Sequence, residues 1–121
     1  MSNPEATVAR YIDAWNEADD ICRGSLVAAT WTEQGTYADP LMQSEGHASI
    51  NAMISAARQH FPGHRFALQG APDSHGVHVR FCWTLAPEEG PPVAHGTDFA
   101  LVAADGRFSS VTGFLDQAPA L

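Results

Sequence analysis

Cysteine, basic side chains and long apolar runs are all scarce in this 121-residue chain, and each scarcity closes a class of function. The two cysteines, Cys22 and Cys82, stand alone, one near an expected helix start and one inside an expected strand. They form neither a metal pair nor a CxxC redox motif and read as structural thiols. Six Lys+Arg against fourteen Asp+Glu leave a formal charge of -8, which repels phosphate backbones and anionic lipid surfaces, so neither nucleic acid nor a membrane is an expected partner. Apolar runs such as "FALVAA" stop far short of the ~20 residues of a membrane span. "MSNPEATVAR" lacks the basic start and apolar stretch of a signal peptide, and a cytoplasmic location is the expectation. Among the histidines, Pro62 and Gly63 separate His60 from His64, and His75 and His78 fall on opposite faces of one expected strand. No HxxxH helix, GxSxG elbow or nucleotide-binding glycine loop is found, so the expectation is no metal, no organic cofactor and no serine nucleophile.

With 45% hydrophobic and 17% charged residues, the chain has the composition of a folded globular protein, and its length suits one domain over residues 1–121. Val8, Tyr11, Ile12 and Trp15 follow the i, i+3, i+4, i+7 pattern of an amphipathic helix between Pro4 and Ala18. Asp19 or Asp20 caps a second helix to about Thr30, followed by the polar "TEQG". "GTYAD" reads as a short strand, "PLMQSEG" as a loop, and "HASINAMISAARQHF" as a third helix stopped by Pro62-Gly63. Beyond it the period becomes two: "RFALQG", "HGVHVRFCWTL", "HGTDFALVA" and "RFSSVTGFLD" predict four strands. Helices first and strands last favour an α+β domain in which a curved, mostly antiparallel sheet wraps against three helices.

The order of "RYIDAWNEAD", "YADP", "GHASI", "TDFALV" and "DGRFSSVTGF" resembles the nuclear-transport-factor-like superfamily, which includes ketosteroid isomerases and SnoaL-like polyketide cyclases. The resemblance runs nearly end to end and implies a cone-shaped α+β fold. It is strongest chemically to ketosteroid isomerase, which places a tyrosine on its first helix, an aspartate just before a proline and an aspartate in a late strand. Tyr11, Asp39 and Asp98 match those positions. The resemblance implies that Asp39 shuttles a proton while Tyr11 and a protonated Asp98 donate hydrogen bonds to a developing enolate. Ketosteroid isomerase is itself the well-known instance of a carboxylic acid kept protonated by an apolar site, so the protonated state of Asp98 is implied by the resemblance alone. Where isomerases often keep further tyrosines bonded to the helix-one tyrosine, Trp31 and Ile54 are expected here.

Each of these residues has a plainer reading. Asp39, before Pro40, suits a simple turn at a strand end, and Tyr11 suits a core position with a wet hydroxyl. Asp98 is harder to dismiss, because an unpaired ionised carboxylate in the middle of "GTDFALV" would cost several kcal/mol if buried. In "HGVHVRFCWTL", Val77, Val79, Phe81, Trp83 and Leu85 share one face and His78, Arg80, Cys82 and Thr84 the other. Periodicity leaves open which face looks inward. If the polar one does, Arg80 pairs with Asp98 in an arrangement resembling limonene epoxide hydrolases. The expected cavity wall comprises Trp31, Ile54, Trp83, Arg80, Val111 and Leu115. The expected function is a cofactor-free enzyme, SnoaL-like or isomerase-like, moving a proton α to a carbonyl of a hydrophobic small molecule, on a homodimer joined through the outer face of the sheet. The alternatives are a non-catalytic ligand-binding or dimerisation module and an epoxide hydrolase.

Overall fold

Helix α1 (Pro4–Asn16) starts where the Asn3 side chain accepts hydrogen bonds from the amides of Glu5 and Ala6, at 3.1 and 3.3 Å, filling two of the donors every helix start leaves open. Its buried stripe is Thr7, Val8, Tyr11, Ala14 and Trp15. Helix α2 (Asp20–Thr30) is capped by Asp19, whose carboxylate accepts from the Cys22 amide at 2.8 Å. Arg23, almost wholly buried, pairs with Asp20 at 2.7 Å and donates to the Asn51 side chain and to the Glu17 carbonyl, each at 3.1 Å. That one guanidinium fastens the α1–α2 corner to helix α3 (His47–His60). The computed structural model describes residues 3–117.

Six strands follow the element order β1 (Trp31–Ala38), β2 (Gln43–Glu45), β3 (His64–His75), β4 (His78–Pro87), β5 (Ala94–Val102) and β6 (Phe108–Gln117). They make one curved mixed sheet in the order β2-β1-β6-β5-β4-β3, parallel only between β1 and β6. The three helices cover its inner face, where Val8, Trp31, Ile50, Ile54, Phe81, Phe108 and Val111 form the core. The expected α+β architecture of three helices against a curved sheet is the architecture found.

Local differences have local causes. "TEQG", expected to follow the helix as a polar stretch, belongs to β1. Its flanks pair with β6, Trp31 with Phe108 and Thr36 with Ser110, and the register slips between them, so the stretch bulges and Glu33 and Gln34 are exposed. Gln43–Glu45, expected as loop, folds back onto β1 as a short edge strand. The run "HGVHVRFCWTL" is split, because Gly76 at φ 56° and Val77 make the two-residue connection between β3 and β4. His75 therefore lies opposite His78 with ring centroids 5.3 Å apart, a same-face pair and not the opposed one the unbroken strand predicted. Val77 leaves the inner face and is exposed.

Gly96 fixes how β5 meets β4. A Cβ there would lie 2.4 Å from Trp83 Cζ2 and 2.5 Å from the Phe114 carbonyl oxygen, so the Trp83 indole lies across the bare glycine. Gly96→Ala is expected to lower stability by about 3 kcal/mol through this overlap. Gly24→Ala, within α2 and with its nearest contact at 3.4 Å, should raise it by up to about 1 kcal/mol. Urea unfolding of the two variants checks the pair, and equal effects of the same sign would remove the packing role given to Gly96.

Candidate active site

Alternation along β1 turns Tyr37 inward, and Asp39, two residues on, continues that face just past the strand end. The Asp39 carboxylate does two things at once. One oxygen accepts from the amides of Leu41 and Met42 at 2.8 and 3.0 Å, holding the turn, and the other accepts from the Tyr37 hydroxyl at 2.6 Å. The turn and the cavity-facing carboxylate, read from sequence as competing roles, coexist in one side chain.

Asp98 sits at the centre of β5, 1% exposed. The register pairs it with Phe81 on one side and Gly113 on the other. The Tyr11 hydroxyl, brought by α1, donates to Asp98 Oδ2, and the Trp83 indole N–H donates to Oδ1 at 3.0 Å. Gly113 has no side chain for a reason. A Cβ there would stand 2.8 Å from Asp98 Oδ1, 3.3 Å from the Tyr37 hydroxyl and 3.4 Å from Asp39 Cβ. The two hydrogen-bonded clusters, Tyr11–Asp98–Trp83 and Tyr37–Asp39, thus face each other across a bare glycine.

Burial raises the Asp98 carboxyl from 3.8 to about 6. The hydrogen bonds from Tyr11 and Trp83 pull it down, and the Asp39 charge pushes it up further. Burial likewise lifts the Tyr11 phenol well above its ordinary value, with the neighbouring Asp98 adding to the shift. The Tyr37 phenol is raised by burial first, then by Asp98 and Asp39. Both tyrosines are therefore neutral donors, while the Asp98 carboxyl is raised to about 6, chiefly by burial.

These groups open onto a small cavity of about 90 Å³ with an otherwise apolar and aromatic wall. Tyr11, Asp39 and Asp98 all line it, as do Trp83 and Leu115. The remaining expected wall residues do not. Trp31, Ile54 and Val111 are core residues, packed beneath the cavity and not against it. Trp31 lies behind the Tyr11 ring, centroids 5.3 Å apart. Arg80 points out of the opposite face of the sheet, where it is exposed and pairs with Asp73 at 3.1 Å. Its register partner is Phe99, one residue from Asp98 and hence on the other face. The Arg80–Asp98 pair of the hydrolase alternative is not formed, and among the described residues no basic side chain lines the cavity. Sequence reasoning missed Tyr37 as a hydrogen-bonding residue, and Trp15 and Phe66 as wall. Tyr37 was legible, since strand period two puts it on the face of Asp39. Among the described residues, no group of three or more His, Cys, Asp or Glu is placed to hold a metal ion, and no helix is long and apolar enough to cross a membrane.

Residues 8–111 match the family model for a SnoaL-like domain. A proposed isomerase of the SnoaL-like family from Agrobacterium tumefaciens is 50% identical, with 92% of this chain and 95% of that one covered and a TM-score of 0.88. A proposed SnoaL-like polyketide cyclase from Jannaschia is 19% identical, covers 93% and 85% of the two chains with a TM-score of 0.74, and shares the fold. So does a de novo designed protein with a curved β-sheet, at 13% identity, coverage of 96% and 88%, and a TM-score of 0.72. No curated protein matches the chain.

The raised Asp98 carboxyl has a thermodynamic consequence. The folded chain holds this proton more tightly than the unfolded one, so the stability it confers is complete below about pH 4 and is lost as pH climbs through about 6. Asp98→Asn cannot ionise, keeps an oxygen for the Trp83 N–H and offers its NH2 to the Tyr11 oxygen. Relative to the wild type, the variant is expected to gain on the order of 3 kcal/mol between pH 4 and pH 7. Urea denaturation across that range measures it, and parallel curves for the two proteins would show that Asp98 does not titrate as described.

Proposed function

Because the chain belongs to the SnoaL-like family, we propose that it is a small-molecule enzyme that moves a proton α to a carbonyl of a hydrophobic substrate by general acid–base catalysis. The observation that carries this reading is the pair of carboxylates, differently held, facing one apolar cavity across Gly113. Asp39 is half-buried at the strand end and Asp98 is buried deep in the sheet with its carboxyl raised to about 6. Two titratable groups whose environments differ in this way suit opposite proton-transfer roles.

In this mechanism Asp39 takes the proton from the carbon next to the carbonyl. The C–H electron pair moves into the new C–C double bond, and the carbonyl π pair moves to oxygen to give an enolate. Protonated Asp98, with Tyr11 beside it, donates to that oxygen, which is worth most in a site that excludes water. Asp39 then returns its proton to a different carbon of the conjugated system, so the reaction is an isomerisation with no net change in atoms or electrons. An isomerase role is what the Agrobacterium relative is proposed to have. The exposed, outward position of Arg80 and the lack of any basic side chain in the wall among the described residues favour this chemistry over epoxide opening by an Asp-Arg-Asp site. Phe99 and Phe114, exposed on neighbouring outer positions of β5 and β6, are the surface through which a homodimer would form.

Proton exchange at the α carbon of conjugated enones and β-dicarbonyls in heavy water tests the proposal. Asp39→Asn retains the oxygen that accepts from Leu41 and Met42, so the turn and the fold should survive. Exchange should fall by roughly 100-fold or more, the usual scale of a lost general base. Exchange at the full rate in the variant would assign the chemistry elsewhere. No exchange by the wild type on any such compound would favour the non-catalytic binding module.

A further inference from the structure

Five aromatic rings of the cavity wall stand in an unbroken chain. Tyr11, Tyr37 and Phe66 each flank Trp15, with centroids 6.2, 5.5 and 5.3 Å away, and Trp83 flanks Phe66 at 5.5 Å. Neighbouring rings are tilted by 52° to 71°, as the adjoining walls of a box are, and none of these pairs is stacked in parallel. The carboxylates of Asp39 and Asp98 lie in the same wall, and among the described residues no cationic side chain does. The proposed proton transfer employs the carboxylates and Tyr11 and gives the other rings no task beyond being apolar.

The face of an aromatic ring attracts a cation, most strongly where water is excluded. Carboxylates in the wall add to that attraction. A ligand that displaces water from them without bringing a charge of its own leaves them less well solvated, and a cation offsets that cost. The hydrogen bonds decide which kind of cation. Asp98 accepts from Tyr11 and Trp83, one at each oxygen, and Asp39 accepts from Tyr37 and the Leu41 and Met42 amides. With those acceptors engaged, the wall offers little to a primary ammonium, which carries three N–H donors and is strongly hydrated. A quaternary ammonium has no N–H to satisfy, and its methyl groups suit apolar rings.

We propose that the cavity binds a compact quaternary ammonium group, held among Tyr11, Trp15, Tyr37, Phe66 and Trp83 with Asp39 and Asp98 as its counter-charge. A cavity of about 90 Å³ suits a compact head group of this kind. This binding goes beyond the proton transfer proposed above and does not rest on it, since it concerns what the wall attracts and not what Asp39 does to a C–H bond. The formal charge of -8 draws cations to the whole protein surface. High salt screens that general attraction and leaves the contribution of the cavity.

The test is calorimetric titration at high salt with choline and with 3,3-dimethyl-1-butanol, its neutral isostere, in which carbon replaces nitrogen. Choline should bind the wild type roughly tenfold more tightly than the alcohol. It should also bind more tightly than ethanolamine, which carries the same chain on a primary ammonium. Protein grown with 5-fluorotryptophan, whose indole face is poorer in electrons, should lose several-fold in choline affinity and nothing in affinity for the alcohol. Asp39→Asn should do the same. Rings that serve only as packing would give choline and the alcohol equal affinity, or no binding of either, and that result overturns the proposal. A choline preference untouched by fluorination places the cation outside the cavity and overturns it equally. A preference untouched by Asp39→Asn removes Asp39 as counter-charge, and tighter binding of ethanolamine removes the quaternary assignment. If Asp39→Asn fails to fold, the fluorinated protein decides. Proton exchange on enones, present or absent, bears only on the carbonyl reading, so the two fail separately.

Discussion

Two carboxylates facing one apolar cavity, with no cationic side chain beside them among the described residues, is the constraint on which the site depends. Ionised carboxylates withdrawn from water cost several kcal/mol each unless their lone pairs are occupied. Here the compensation comes entirely from hydrogen bonds: a phenol and an indole for Asp98, a phenol and two backbone amides for Asp39. Neutral donors stabilise an anion less completely than a guanidinium does. The buried carboxyl is therefore left raised, at about 6, instead of being driven low.

That arrangement reaches into the fold. Asp98 can stand at the centre of a strand because its neighbours give way. Gly113 leaves room for its Oδ1, and Gly96 lets the Trp83 indole cross the strand and reach it. Tyr11 reaches the other oxygen because α1 lays its apolar stripe against the sheet, with the ring held among Trp31, Phe81 and Phe108. The Arg23 clamp acts at a distance, fixing the α1–α2 corner against α3 so that α1 keeps its place. The residues that look like ordinary core are thus what positions the polar ones.

This division explains what the sequence revealed and what it concealed. Helices α1 to α3 were legible because their apolar stripes are regular and their ends carry Asn3, Asp19 and Pro62-Gly63. Asp98 was legible because a charge inside an apolar strand needs an explanation. The orientation of β4 was not, since both of its faces contain residues that could be buried, and the answer lay in the Arg80–Phe99 register with β5. Trp31, Ile54 and Val111 were assigned to a wall from the resemblance or the apolar pattern. Those signals distinguish inside from outside, but not the floor of a core from the lining of a cavity. The hydrogen-bond partners were the least visible part: Trp83 reaches Asp98 only because of a glycine on the next strand, a relation between three residues that no single-strand pattern contains.

The same logic separates the roles of the two aspartates. Asp39 is anchored to the backbone of its own turn, so its position is set locally and would survive a change in protonation. Asp98 has no such anchor. Its partners arrive from α1 and β4, and both are neutral donors whose geometry suits an ionised acceptor. When a proton arrives, one of those bonds must be re-formed or released, and the hydroxyl of Tyr11 is the group free to rotate. A ligand oxygen next to Tyr11 meets that hydrogen only in the protonated state of the cluster. In the proposed reaction the deep carboxylate thereby sets when the cavity offers a hydrogen bond, and the shallow one sets where a proton is taken. The glycine between them keeps the two close enough for that reaction to involve both on one small molecule.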